Sequence, residues 1–201
     1  MVQIQVDTHT HTLFSGHAFS TIEENARHAA EAKMEAIAMT DHFGSLFCDI
    51  ARIDGSLNMD SLPQEIHGVR ILAGTEIDIV DAKGNLAGHD LYTHLDESKT
   101  VCDMLLETRD LAIASVHFFE GCKDLNVVQA TELYCNVLKK PYIHVLGHIG
   151  RSGLPFEIDE VVKTAGVEGK MIEINEHSFD SGETVICRCR EIALACARYG
   201  T

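Results

Sequence analysis

Two histidines separated by one residue, His9 and His11, follow the first apolar stretch of the chain, in the run VQIQVDTHTHT. Successive side chains on a β-strand alternate between its faces, so residues two apart point the same way. Both imidazoles can therefore reach one point. Imidazole nitrogens are common ligands of Zn²⁺, Mn²⁺ and iron, so this spacing predicts part of a metal site.

Similar residue types recur at the ends of further predicted strands. Apolar patterning predicts strands near residues 3–7, 36–40, 70–78, 111–116, 142–147 and 171–175. Almost every one of them ends in, or is followed by, an imidazole or a carboxylate: Asp7, His9, His11, Asp41, His42, Glu76, His117 and His148. Chemistry in a (β/α) barrel lies at the carboxyl ends of the strands, so this placement favours a closed barrel over an open sheet.

Helix signals alternate with these strands. The run Ser20-Thr21-Ile22-Glu23 matches a capping box and predicts a helix that starts there. Further helices are predicted over 126–140, 156–165 and 183–199, each followed by Pro or Gly. Strands alternating with amphipathic helices are typical of the α/β class, with a parallel sheet covered by helices.

The candidate ligands outnumber what one metal needs. Zinc is satisfied by four protein ligands, or by three and a water. The sequence offers seven: His9, His11, His17, His42, Glu76, His117 and His148. A carboxylate such as Glu76 can bridge two ions, and metals about 3.5–4 Å apart can trap a hydroxide for in-line displacement at phosphorus. We therefore expect more than one divalent ion (Zn, Mn or Fe) and hydrolysis of phosphate esters.

Composition narrows the class of partner. The 201 residues are 45% hydrophobic, which is enough for one domain over 1–201. The formal net charge of −15 argues against nucleic acid and against an anionic membrane surface as the partner. The sequence shows neither an apolar run of about 20 residues nor a signal-peptide pattern, so we expect a cytoplasmic protein. Its seven cysteines do not form a disulfide framework, which agrees with a reducing compartment.

The run VDTHTHTLFSGHAFST resembles the opening motif of the PHP (polymerase and histidinol phosphatase) family. The other family motifs follow in order: TDH at 40–42, GTEIDI at 74–79, SVH at 115–117, GHIG at 147–150 and EINEHSF at 173–179. The match spans nearly the whole chain and is closest to the small stand-alone phosphatases with a trinuclear site. This resemblance implies a distorted (β/α)7 barrel and metal-dependent hydrolysis of small phosphate monoesters.

The resemblance also implies how the metals are held. It gives His9 and His11 to a first metal, Glu76 as the bridge to a second that His117 and His148 also bind, and His17 and His42 to a third. Asp7 and Asp41, beside these ligands, are expected to orient imidazoles through their free ring N–H groups.

Three more residues are predicted beside the metals. Arg151 follows His148 in GHIGRSG and is expected to hold a substrate phosphate oxygen by a charge-assisted hydrogen bond. Asn175 follows the sixth predicted strand and is expected near the substrate. His177 is expected to protonate the leaving alkoxide, because imidazole titrates near neutral pH.

The chain departs from the family at its C-terminus. Family members finish with a seventh strand that carries a Gly-Ser-Asp-x-His type motif, whereas this sequence stops at Gly200-Thr201. We therefore expect a C-terminally incomplete domain that lacks the last barrel strand, and a homo-oligomer that covers the open edges.

Three alternative functions remain open on the sequence. A PHP domain without its last motif could bind metal and be catalytically inactive. An amidohydrolase-like barrel also opens with an HxH pair and cleaves C–N bonds, although no lysine ends a middle strand here. A proofreading exonuclease module is disfavoured by the acidic charge, because a nucleic-acid channel needs basic walls.

Overall fold

The computed structural model describes residues 4–44, 55–94 and 96–201. Their contacts divide the chain into two compact units. The first comprises Met1–Ile77 and Ala87–Ala112, and the second comprises Asp78–Leu86 and Ile113–Thr201. The expectation of one domain over 1–201 stays a prediction.

The first unit is built on a mainly parallel sheet. Its strands are β1 (Val6–Thr10), β2 (Ala36–Met39), β3 (His42–Phe43), β4 (Glu65–Ile66) and β5 (Val69–Asp78), the last residue of which belongs to the second unit. Strand β2 pairs in parallel with β1 and with β5, β3 is also parallel to β5, and β4 is antiparallel to β5. Helices α1 (Ile22–Glu31) and α2 (Val101–Leu106) belong to this unit.

Helix α1 begins one residue later than the predicted capping box. Thr21 is the N-cap: its Oγ1 accepts the Glu24 N–H at 3.2 Å, and the Glu24 carboxylate accepts the Thr21 N–H at 2.8 Å. Ser20 and Glu23 have the same spacing in the sequence as Thr21 and Glu24, so the pattern alone does not show which residue begins the helix. The apolar face of α1 packs on the sheet in a core made of Ala26, Ala29, Ile37, Met39, Val69 and Ile71.

The second unit continues the strand and helix alternation. Strand β6 (Leu111–Ser115) ends in this unit and pairs in parallel with β7 (Val145–Leu146), which pairs in parallel with β8 (Met171–Ile172). Its helices are α3 (Val127–Leu138), α4 (Ile158–Glu168) and α5 (Glu183–Tyr199). Helix α4 packs against both α3 and α5. The predicted α/β class with parallel strands is confirmed.

Several predicted boundaries are wrong. The first strand runs from Val6 to Thr10 rather than over 3–7, so His9 lies inside it; residue 3 is outside the described residues. The strands predicted at 142–147 and 171–175 are only two residues long. Helix α4 continues through Gly166 and ends at Glu168, and its C-cap Gly169 has a φ of 65°, the left-handed conformation that glycine adopts readily. None of the described helices is long and apolar enough to span a membrane.

Candidate metal centre

One buried carboxylate oxygen lies at the centre of a histidine cluster in the first unit. Oε2 of Glu76 is 2.9 Å from Nδ1 of His42, 3.1 Å from Nε2 of His9 and 3.4 Å from Nε2 of His11. The Glu76 side chain is 1% exposed. A charged carboxylate so far from water needs compensating positive charge, which a cation held by the same imidazoles would provide.

Strand register positions this cluster. Residues His42 and Glu76 are direct partners in the parallel pairing of β3 with β5. The pairing of β1 with β2 shifts register between Asp7 and Thr10, which is where His9 lies. Register shifts such as β-bulges change the direction of a side chain and are frequent beside active sites.

The imidazoles of the first unit also contact one another. The ring centroid of His11 is 4.5 Å from that of His42 in a stacked arrangement, 4.9 Å from that of His17 and 5.0 Å from that of His9. The ligand atoms of His11, His17 and His42 lie within 4.8 Å of one another, as do those of His9, His11 and Glu76. The first unit therefore brings together five of the seven predicted ligands.

The surroundings of His11 favour its neutral form. Burial and the neighbouring His42 imidazole lower the pKa of His11 to about 4, against an opposing effect of Glu76. At neutral pH one of its ring nitrogens therefore carries a lone pair. A neutral imidazole beside a buried carboxylate is the donor set that Zn²⁺ and similar ions prefer, so these residues fit a divalent metal.

The two predicted orienting carboxylates make hydrogen bonds beside these ligands. Asp41 accepts three: from the Thr12 N–H at 2.7 Å, from Oγ1 of Thr12 at 2.6 Å and from Oγ of Ser15 at 2.5 Å. Asp7 accepts the backbone N–H of His9 at 3.1 Å. Asp41 thus binds the hydroxyl groups of Thr12 and Ser15, and Ser15 is a neighbour for which no role was predicted from the sequence.

The two remaining predicted ligands lie together in the second unit. The ring centroids of His117 and His148 are 5.3 Å apart. Nδ1 of His117 lies 2.7 Å from Oδ1 of Asp78, whose side chain is 1% exposed. No role was predicted for Asp78 from the sequence, although its position two residues after Glu76 in GTEIDI is a signal that could have identified it.

His148 has an unusual backbone conformation. Its φ of 33° and ψ of 40° lie in the left-handed region, which residues with a Cβ rarely adopt. Its N–H donates to Oε2 of Glu173 at 2.8 Å, and Oε1 of Glu173 accepts from Nδ2 of Asn175 at 3.0 Å. Glu173 therefore links the predicted substrate residue Asn175 to the backbone of a predicted ligand, and backbone strain of this kind clusters at functional sites.

The other two predicted residues differ in placement. Arg151 ends the short 3-10 turn Ile149–Arg151 directly after His148, and its N–H donates to the His148 carbonyl at 3.0 Å. His177 has a side chain that is 76% exposed, and its Nδ1 lies 3.2 Å from Oδ2 of Asp180. The proposed role of His177 as a proton donor stays a prediction.

Comparison with known proteins gives the family. The model of the PHP domain matches residues 7–177 of this chain. The chain belongs to the PHP domain family. A "Probable phosphatase" of Acetivibrio thermocellus is 36% identical to this PHP domain over 196 residues, which are 97% of this chain and 75% of that protein. Another, of Thermoanaerobacter sp. (strain X514), is 40% identical over 182 residues, 90% of this chain and 68% of that protein.

A solved structure resembles this PHP domain in fold. It is the histidinol phosphate phosphatase of Lactococcus lactis, complexed with zinc, L-histidinol and phosphate. The TM-score is 0.61, and the match covers 98% of this chain and 82% of that one at 14% identity. At this identity the likeness concerns the fold, and it confirms the fold class that the sequence motifs predicted.

Proposed function

We propose that this PHP domain is a metal-dependent phosphatase that hydrolyses small phosphate monoesters. The observation that carries the proposal is the approach of three imidazole nitrogens, from His9, His11 and His42, to one buried oxygen of Glu76. Family membership and relatives named as probable phosphatases support the reaction class.

Each unit supplies its own set of metal ligands in this proposal. The first set comprises His9, His11, His17, His42 and Glu76, and the second comprises His117 and His148. Two or three divalent ions, Zn, Mn or Fe, match the number and type of these ligands. When bound, the ions would supply the positive charge that activates water and offsets the charge developing on phosphate.

Residues of the second unit would bind the substrate and protonate its leaving group. Arg151 ends the short turn after His148, and its guanidinium would hold a phosphate oxygen by a charge-assisted hydrogen bond. Asn175 would contact the rest of the substrate while Glu173 fixes its amide. His177 would donate a proton to the leaving alkoxide.

The substrate class is a small phosphorylated metabolite. The formal charge of −15 disfavours nucleic acid, because a phosphate backbone needs clustered Lys and Arg. The Lactococcus lactis structure contains L-histidinol and phosphate, so histidinol phosphate belongs in the substrate panel next to nucleoside and sugar monophosphates.

The direct test is phosphate release by the full chain loaded with Zn²⁺, Mn²⁺ or Fe²⁺. We expect turnover of p-nitrophenyl phosphate and of at least one small monoester in the panel. The Arg151→Ala variant should raise KM about tenfold or more and retain the metal, because it removes a phosphate contact only. Bound metal without phosphate release would support the catalytically inactive alternative, and cleavage of amides instead would support the amidohydrolase alternative.

A further inference from the structure

We propose that Ser15 is a positioning residue that fixes which ring nitrogen of His11 carries the proton. In this role the serine hydroxyl, held by Asp41, keeps the lone pair of His11 on Nε2, the nitrogen that faces Glu76. The inference rests on the proposed metal-binding role of His11, and it concerns a residue to which the sequence motifs gave no function.

The local fold leaves the Ser15 side chain fully inside the protein. Ser15 is 0% exposed and ends the short 3-10 turn Leu13–Ser15. Oγ1 of Thr12 accepts the N–H of Phe14 at 3.1 Å at the start of this turn, and Gly16 closes it with a φ of 79°. The turn therefore places the Ser15 hydroxyl at one position between Asp41 and the imidazole of His11.

The direction of each proton follows from the chemistry of the groups. Oδ1 of Asp41 lies 2.5 Å from Oγ of Ser15. A carboxylate can only accept hydrogen bonds, so the single hydroxyl proton of Ser15 points at Asp41. The same reasoning makes the Thr12 hydroxyl a donor to Oδ2 of Asp41 at 2.6 Å.

The Ser15 oxygen is then left with lone pairs only. One accepts the backbone N–H of His42 at 3.1 Å. The other faces Nδ1 of His11 at 3.0 Å, which is attractive only if Nδ1 is the donor. The His11 proton therefore belongs on Nδ1, and Nε2 keeps the lone pair.

The competing arrangement would place the proton of His11 on Nε2 and direct it at Glu76. Oε2 of Glu76 is 3.4 Å from that nitrogen, whereas His42 and His9 approach the same oxygen at 2.9 and 3.1 Å. Nδ1 of His11 would then point its lone pair at a lone pair of Ser15 Oγ. This tautomer would gain only the longest of the three contacts with Glu76, and it would lose the hydrogen bond between Nδ1 and Ser15.

The position of the proton on the His11 ring matters for metal affinity. An imidazole binds a metal through the nitrogen without the proton, and the hydrogen bond of the other nitrogen selects the tautomer. Ser15→Ala would leave Nδ1 of His11 without its acceptor, so both tautomers become populated. We expect the Zn²⁺ affinity to fall about 10-fold to 100-fold, the usual effect of removing such a partner.

The test is ¹⁵N NMR of the imidazoles in the full chain, first freed of metal by chelation and then titrated with Zn²⁺. We expect the proton of His11 on Nδ1 in the wild type, and Zn²⁺ on Nε2. In Ser15→Ala the metal-free His11 should show mixed tautomers. Wild-type protein with the proton on Nε2, or with Zn²⁺ on Nδ1, would overturn the proposal whatever the variant does.

Thr131→Val is the matched control for loss of a buried hydroxyl. Thr131 is 3% exposed, and its Oγ1 donates to the Val127 carbonyl and accepts the Glu157 N–H, remote in sequence from the histidines of the first unit. The Thr131→Val variant should have a lower free energy of unfolding, as Ser15→Ala should, without a change in the His11 tautomer or in the Zn²⁺ affinity. If both variants weaken Zn²⁺ binding equally, the role of Ser15 is only structural. If wild-type protein binds no Zn²⁺, the proposed function fails, whereas the metal-free tautomer still decides this inference.

Discussion

Nδ1 of His117 donates to Oδ1 of Asp78 at 2.7 Å, and this leaves Nε2 as the only nitrogen of that ring able to bind a metal. Asp78 is 1% exposed. A buried carboxylate that holds an imidazole in one tautomer also raises its basicity as a ligand. Under the proposed function, Asp78 would prepare His117 for a metal in the same way as Ser15 is proposed to prepare His11.

Loss of the Asp78 charge beside His117 should weaken metal binding. Asp78→Asn keeps the shape of the side chain and removes its charge, so it should weaken divalent metal binding about 10-fold to 100-fold. Competition with a chromophoric chelator measures the affinity. Asp159→Asn is the control, because Asp159 is a half-exposed carboxylate of the same unit that pairs with Arg198. Equal metal affinity in the two variants would show that Asp78 does not support a metal ligand.

Chelation should lower the stability of metal-loaded protein. A ligand that binds only the native state stabilises it by about 2.7 kcal/mol at a concentration 100 times its Kd. For a chain of this size, removal of one such ion corresponds to a fall in Tm of about 5–10 °C. Thermal melts before and after EDTA, and after return of Zn²⁺, measure the change. Superimposable melts in all three conditions would contradict a site built into the fold.

Gly147 should tolerate no side chain. A Cβ on Gly147 would overlap the Ser115 hydroxyl and would lie 2.8 Å from Cγ2 of Ile113. Gly147→Ala should therefore lower the free energy of unfolding by about 1–3 kcal/mol, the usual cost of overpacking. Urea unfolding measures it. Adding Ser115→Ala should recover part of the loss, and no recovery would mean that the contact is not its source.

Stability should depend on the ionisation of His144. Partial burial, together with Lys170, lowers the pKa of His144 below its usual value. The folded state then binds fewer protons than the unfolded state below about pH 6.5, so protonation destabilises the fold as the pH falls through that value. His144→Gln removes this effect, so its unfolding free energy should decrease less between pH 7.5 and pH 5.5 than that of the wild type.

The difference for His144→Gln should be a fraction of the roughly 1.4 kcal/mol that one pKa unit represents, because the side chain is only partly buried. Urea unfolding at a series of pH values measures it. An identical decrease in both proteins would show that His144 has the same pKa folded and unfolded.

The sequence predicted the cluster of histidines and Glu76 better than the residues that hydrogen-bond to the candidate ligands. The proximity of His9, His11, His42 and Glu76 was predictable because imidazoles and carboxylates at strand ends are chemically distinctive, and their role as ligands stays a prediction. Ser15 was missed because a hydroxyl is common, and its contact with His11 depends on an irregular turn that has no periodic signal. Glu173 was missed because its bond to the His148 N–H depends on tertiary placement.

The exact ends of helices and strands could not be predicted from the sequence either. Two overlapping capping boxes precede α1, and only the structure shows that Thr21 caps the helix. The strands that precede His148 and Asn175 are two residues long, because the chain leaves the sheet early to form the turns that carry polar residues. Apolar patterning does not distinguish a paired strand residue from an extended neighbour.

The most direct measurement is elemental analysis of metal per chain in wild-type protein, Glu76→Gln and Glu65→Gln, all purified without chelator. Glu65 is an exposed carboxylate on β4 and serves as the matched control. We expect two or three equivalents of Zn, Mn or Fe in the wild type and in Glu65→Gln, and the loss of at least one equivalent in Glu76→Gln. Equal metal content in all three proteins, or no metal in any, would contradict this expectation.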